Sequence, residues 1–297
     1  QRQSAAKTLG RIGPDASEAA PALSKALRDK ESEVRYAAAF ALGLMGPSAR
    51  ESARNLVDAL TDAEPSVRNA AARSLGQIGG EGSRTIPALV HALQDAHADV
   101  RNAAAWALSL LGPAAAAAVE GLARIAKDKD SGVRWQAVSA LGSCARESAL
   151  AVRTLAESLT DDHADVRKQA ATSLGELGTD AEGAIPALAE ALRDAEAGVR
   201  YAAALALGKI GGESEGALLG ALEDKDAEAR EAAAMALSQL EEVAPRSVPS
   251  LVARLKDPHP GVRGACAVVL GKLGQAASPA ANALIYATPI CSLARFR

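Results

Sequence analysis

Aromatic residues are nearly absent from this chain, with two tryptophans, three tyrosines and two phenylalanines among 297 residues. Yet 48% of the sequence is hydrophobic, so alanine and leucine carry the apolar load. A core of such small side chains needs closely packed helices, because strands favour β-branched and aromatic residues. Charge of one sign is also lacking. The 33 basic and 36 acidic residues sum to −3, too even to mark a nucleic-acid or acidic-substrate protein. Cysteine is scarce and odd in number. Cys144, Cys266 and Cys291 lie far apart, with no CxxC or Cys/His spacing, so neither a disulfide framework nor a structural zinc site is supported. A reducing, cytoplasmic location is the expectation. No uninterrupted apolar run reaches the roughly 18–20 residues of a membrane span, and Gln1-Arg2-Gln3-Ser4 is not a signal peptide.

What the chain has is repetition. A Val-Arg pair recurs at Val34-Arg35, Val67-Arg68, Val100-Arg101, Val133-Arg134, Val166-Arg167 and Val199-Arg200, each step 33 residues. Ala229-Arg230 follows after 30 residues and Val262-Arg263 after another 33. Arg2 falls on the same grid, so the chain opens inside a further copy. An aspartate precedes each arginine by six, from Asp29 and Asp62 to Asp257. A Leu-Gly pair follows, as at Leu42-Gly43, then a second glycine such as Gly46, then a Pro-Ala-Leu opening at Pro21, Pro87 and Pro186. Proline suits the first turn of a helix and glycine its end. Each copy therefore predicts a helix A, about Pro21 to Leu27, and a helix B, about Glu33 to Met45. The aspartate in the short A–B turn is placed to cap helix B. The three-residue shortening falls between Gly211 and Gly216, in a loop where such changes are tolerated.

The frame D-x4-V-R-x2-A-A-x-A-L-G-x-[IL]-G resembles HEAT repeats, and among them the phycobilisome-lyase HEAT-like repeats, over residues 1 to about 285; the tail 286–297 is off pattern. Ankyrin repeats, of similar period, open with Thr-Pro-Leu-His, which is absent. The resemblance implies an all-α, right-handed α-solenoid (superhelix) of about nine two-helix repeats of 33 residues, as one solenoid over 1–297. It also implies a ladder in which turn aspartate and helix-B arginine bond within and between repeats, pairing Asp29 with Arg35 and Asp62 with Arg68. Those arginines are assigned to structure. Solenoids need polar end repeats, and neither end has one. Both ends read as cut from a longer array, or the last few residues as foreign to it, which predicts end-to-end self-association or fraying.

At about 100° per residue, Ala38, Leu42 and Met45 share the Val34 side of helix B, while Tyr36, Phe40 and Leu44 lie opposite. In such solenoids the remaining side of helix B lines the concave surface, the usual place of binding. Through the repeats the Tyr36 column includes Asn69, Asn102, Trp135, Lys168 and Tyr201. The Phe40 column includes Lys7, Arg73, Trp106, Leu205 and Met235. The Leu44 column includes Arg11, Leu110, Glu176 and Lys209. Five of the seven aromatics stand in these columns, where even scatter would place fewer than one. They switch columns and skip repeats, which argues for a partner-binding groove over uniform packing. The predicted groove comprises Tyr36, Phe40, Asn69, Arg73, Asn102, Trp106, Trp135, Lys168, Tyr201, Leu205 and Met235. Six basic residues against two acidic ones in the columns favour a protein or peptide partner of acidic character.

No catalytic centre is expected. His97, His163 and His259 sit in turns of different repeats, at least about 18–20 Å apart, and His91 lies on a helix A. Some HEAT-repeat metalloenzymes use His-Glu pairs, but no His-Glu dipeptide occurs here. No nucleophile elbow, phosphate loop or dinucleotide fingerprint is found, and Cys144 and Cys266 fall on the buried side of helix B. The expectation is a non-catalytic protein-binding scaffold without metal or cofactor. The alternatives are a bilin lyase or bilin-binding subunit, and a HEAT-like nucleic-acid binder, for which the groove carries little positive charge.

Overall fold

In the computed structural model, residues 1–79 and 82–280 are described. Every regular element among them is helical. The chain forms two compact blocks, Gln1–Thr154 and Leu155–Arg297. In the first, helices B are α1 (Arg2–Ile12), α3 (Ser32–Met45), α5 (Pro65–Ile78), α7 (Ala98–Leu111) and α9 (Ser131–Cys144). They alternate with helices A: α2 (Ala20–Ala26), α4 (Ala53–Ala59), α6 (Gly82–Ala92) and α8 (Val119–Ile125). The block boundary falls inside α10 (Ala149–Ser158), a further helix A. The second block has helices B at α11 (Ala164–Leu177), α13 (Ala197–Ile210), α15 (Ala227–Gln239) and α17 (Pro260–Leu273). Helices A there are α12 (Ile185–Ala191), α14 (Glu215–Ala221) and α16 (Val248–Arg254). Within each block, successive helices B pack side by side and each helix A packs on its own helix B. Each block is thus an α-solenoid segment of two layers. A ninth helix A beginning near Pro279, and the off-pattern tail, lie outside the described residues.

Two leucine registers hold the layers together. Leu56, Leu89 and Leu122 from helices A, and Leu42, Leu75, Leu108 and Leu141 from helices B, are fully buried. Each contributes about 1.5–3 kcal/mol relative to exposure. Alanine fills the rest of the B layer, with Ala38, Ala71 and Ala104 entirely covered. Small side chains let neighbouring B helices approach closely, and the Leu-Gly glycine carries this furthest. A Cβ on Gly76 would lie 2.7 Å from Ala107 Cα, and one on Gly208 would lie 2.6 Å from Ala236 Cα. That glycine sits inside helix B, as the predicted span of about Glu33 to Met45 required. Only the second closes the helix: Gly46 has φ 58° and Gly79 φ 65°, a region glycine enters without steric cost.

The connections from B to A are more ordered than loops. Seven-residue 3-10 segments span Gly13–Ala19, Gly46–Ser52, Gly112–Ala118 and Gly178–Ala184. Each is two short turns joined at a kink, as at Ala16 with φ −93° and ψ 18°. In the shortened repeat the segment shrinks to Gly212–Ser214, so the deletion falls where the sequence placed it. The stretch Ala98–Ile125 is long and apolar enough for a membrane span by length and composition. Gly112, at φ 56° and ψ −139°, breaks it into α7, a 3-10 segment and α8.

The aspartate–arginine ladder forms with a different connectivity from the one expected. Arg35 donates from Nη1 to the main-chain oxygen of Asp29 in its own turn, at 2.9 Å. Its Nε and Nη2 reach the carboxylate of Asp62 in the next repeat, at 2.6 and 2.8 Å. Asp29 itself receives Arg2. The pattern recurs for Arg68 with Asp95 and Arg101 with Asp128 in the first block. In the second it joins Arg167 to Asp194, Arg200 to Asp224 and Arg230 to Asp257. The expected Asp29–Arg35 and Asp62–Arg68 pairs exist only through main-chain oxygens, because a guanidinium forked over its own turn points its second edge forward. The aspartate does not cap helix B either. Asp29 Oδ1 accepts the N–H of Glu31, two residues on, which folds the turn before the cap. Where a side chain caps, it is another residue: Asp130 accepts from Val133 N and Asp226 from Ala229 N, each at 3.0 Å.

Candidate interaction surface

Burial along α3 follows the predicted division of faces. Val34, Ala38, Leu42 and Met45 are buried, while Tyr36 is half-buried and Phe40 and Leu44 are 47% and 40% exposed. Tyr36 and Phe40, one turn apart on the same face, stack with ring centroids 6.2 Å apart and planes at 8°. On the following helices B the Arg73 guanidinium from α5 lies 4.8 Å from the ring centroid of Trp106 on α7. Such a cation–π contact is worth about 0.5–1 kcal/mol at an exposed site. Leu110 on α7 is 51% exposed and Trp135 on α9 38%. The first block therefore carries seven of the eleven predicted groove residues on the free sides of consecutive B helices. Leu44 and Leu110, left out of that set, are exposed on the same side; their column position was the available signal.

Two of the seven are committed to the neighbouring repeat. Asn69 Nδ2 donates to the main-chain oxygen of Asp99 at 2.7 Å, and Asn102 Nδ2 to that of Gly132 at 3.1 Å. Gln3 makes the equivalent reach to Glu33 at 2.9 Å. The Tyr36 column thus holds inter-repeat braces as well as aromatics. Beside Tyr36, an open recess of about 360 Å³ is lined by Pro65, Asn69, His97 and Asp99 among others.

The second block holds the other four predicted residues. Lys168 is exposed, with its stem over Gly198. Tyr201 and Leu205 are half-buried, and Met235 is 40% exposed. Glu231, in the Tyr36 column, faces His259 Nδ1 of the next repeat at 3.3 Å.

The titratable groups explain themselves structurally. Hydrogen bonds from Arg167 hold the Asp194 carboxyl below its ordinary range, with burial opposing them, and Arg230 does the same for Asp257. For Asp62, Asp95 and Asp128 burial pushes upward, but the arginine bonds and the turn N–H outweigh it. Cys144 and Cys266 are buried, and burial pushes both thiols up to about 12; Cys291 lies outside the described residues. Among the described residues no group of three His, Cys, Asp or Glu side chains is placed to hold a metal ion.

Stacked helix pairs, a forward-reaching arginine ladder and variable outward columns define a helical-repeat protein. A family model described as HEAT repeats matches overlapping segments, among them 1–62, 53–142, 152–238 and 215–286. The chain belongs to the HEAT-repeat family, whose members are generally protein-interaction scaffolds and typically not enzymes. Among solved structures, the crystal structure of an engineered protein is 24% identical, covers 96% of this chain and 88% of its own, and has a TM-score of 0.64. The X-ray structure of YibA from Escherichia coli is 21% identical, with 91% and 96% covered and a TM-score of 0.60. At these identities the likeness shows the fold alone. No curated protein matches the sequence.

Proposed function

We propose that this chain is a non-catalytic scaffold that binds a protein or peptide on the free side of its B helices, with Tyr36, Phe40, Leu44, Trp106, Leu110 and Trp135 of the first block as anchors. The observation that carries the reading is the exposure of Phe40, Leu44, Leu110 and Trp135 on that one side, in a chain with so few aromatic residues. Exposed apolar patches mark interaction sites, and tryptophan and tyrosine are preferred anchors. Lys7, Arg11 and Arg73 stand in the same columns, and the first-block columns contain no Asp or Glu. A partner segment combining apolar and acidic side chains is the complementary chemistry.

The test is capture from lysate by the parent chain and by a Phe40→Ala, Trp106→Ala, Trp135→Ala variant, with circular dichroism confirming equal folding. A helix-A variant, Glu120→Ala with Arg124→Ala, serves as control. A partner retained by parent and control but lost by the aromatic variant supports the reading. An unchanged catch with the aromatic variant overturns it.

A further inference from the structure

A second candidate site lies on the helix-A side of the first block. The 3-10 segment Gly46–Ser52, α4 and the start of α6 enclose an open recess of about 890 Å³. Three arginines line it: Arg50 and Arg54 from one repeat and Arg84 from the next. The hydroxyls of Ser48 and Ser83 are on its wall, and Glu51 is the one carboxylate among its described lining residues. Ladder arginines such as Arg68 and Arg101 are bound to two or more oxygens each. Arg50, Arg54 and Arg84 have no ion-pair or hydrogen-bond partner among the described residues. Arg50 reaches forward, its Nη2 lying 3.9 Å from where a Cβ on Gly79 would stand. All three side chains are exposed, and no partner among the described residues competes with an anion for them.

The repeat frame sharpens this. Arg54 stands where four other repeats open helix A with proline, at Pro21, Pro87, Pro186 and Pro249, and where one other, Arg153, is also basic. Arg84 stands where the two preceding repeats have Glu18 and Glu51. At this junction alone both positions turn basic, beside Arg50.

We propose that Arg50, Arg54 and Arg84 form a binding site for a small di- or triphosphate-bearing anion. Guanidinium forks match phosphate oxygens two at a time and stay charged at any physiological pH. The recess has the volume of a small-molecule site, within the usual range of about 300–1,000 Å³. The site is independent of the B-helix surface and its partner.

The probe is inorganic pyrophosphate, titrated calorimetrically into the full chain at about 150 mM salt, where weak surface attraction is screened. Saturable one-site binding is expected, weakened by about tenfold or more in Arg54→Glu/Arg84→Glu. Arg54→Gln/Arg84→Gln, which perturbs the fold least, should show the same loss. Lys25→Glu/Arg124→Glu, with an equal charge change elsewhere on helices A, should bind as the parent does. No saturable binding at millimolar pyrophosphate overturns the proposal, as does equal weakening in the Lys25/Arg124 control. Tighter binding of a short single-stranded oligonucleotide, lost in the same variants, overturns it in favour of a nucleic-acid backbone.

Discussion

Replacing Gly208 by alanine should destabilise the second block, although alanine is the better helix former. Gly208 lies inside α13, where intrinsic propensity favours alanine by about 0.8–1.0 kcal/mol. The new Cβ would stand 2.6 Å from Ala236 Cα, 2.7 Å from its Cβ and 3.1 Å from its carbonyl oxygen. Carbon atoms pack best at about 3.5–4.0 Å, so α13 and α15 must separate by about 1 Å. The obstruction is main chain, which no rotamer change relieves. Overpacking of this kind costs about 1–3 kcal/mol and leaves a net loss of up to about 2 kcal/mol after the propensity gain. Gly264, inside α17, is the matched control: nothing among the described residues lies within 4 Å of its Cβ position. Gly264→Ala should stabilise by about 0.5–1 kcal/mol. Urea unfolding followed by circular dichroism measures both, and two shifts of the same sign would refute the close-approach argument.

Arg101→Met removes a largely buried two-point pair with Asp128 and leaves that carboxylate without its guanidinium partner. The expected cost is about 2–4 kcal/mol, reduced when Asp128→Asn is added; an unchanged urea midpoint for the single variant contradicts the ladder's role. Ladder carboxyls held low in the folded state contribute stability that is fully present above their unfolded value, about 3.9. That stability should be lost as pH falls below about 4 through the lower folded values. Urea midpoints should accordingly be flat near neutrality and drop steeply in acid, and a midpoint that stays level in acid refutes the assignment. With thiols pushed up to about 12 by burial, Cys144 and Cys266 should resist maleimide at pH 8 and label only in denaturant; peptide mapping that finds either labelled in the native chain counts against their burial.

The period, the helix pairs, the buried column and the place of the deletion were all legible in the sequence, because each follows from spacing within one repeat. What escaped depends on which neighbour a side chain reaches. The 33-residue grid makes Asp29 and Asp62 equivalent and cannot say which of them Arg35 grips. That is decided by the direction in which α3 presents its first turn. The same limit applied to Asn69, which reads as an open groove residue and is a brace to α7. Why a glycine follows the leucine inside helix B was not legible either, because Gly76 and Gly208 are set by the spacing between helices. The 3-10 segments were hidden because their sequences, such as GPSARES, share only the opening glycine's backbone requirement. Outward exposure at Phe40 and Trp135 was readable, since those columns vary while the alanine columns do not. The Arg50, Arg54 and Arg84 recess was not, since it joins two repeats through positions outside the conspicuous frame.

The shortened repeat shows what the arginine joint tolerates. Arg200 meets Asp224 across 24 residues where Arg167 meets Asp194 across 27, yet the Nε–Oδ2 distances are 2.6 and 2.7 Å. The joint is therefore indifferent to how much chain lies between its halves. Within each block the repeats offer the same arginine forward and the same aspartate backward. A gene encoding such a chain can gain or drop a whole repeat by misaligned recombination, and the new neighbours already fit.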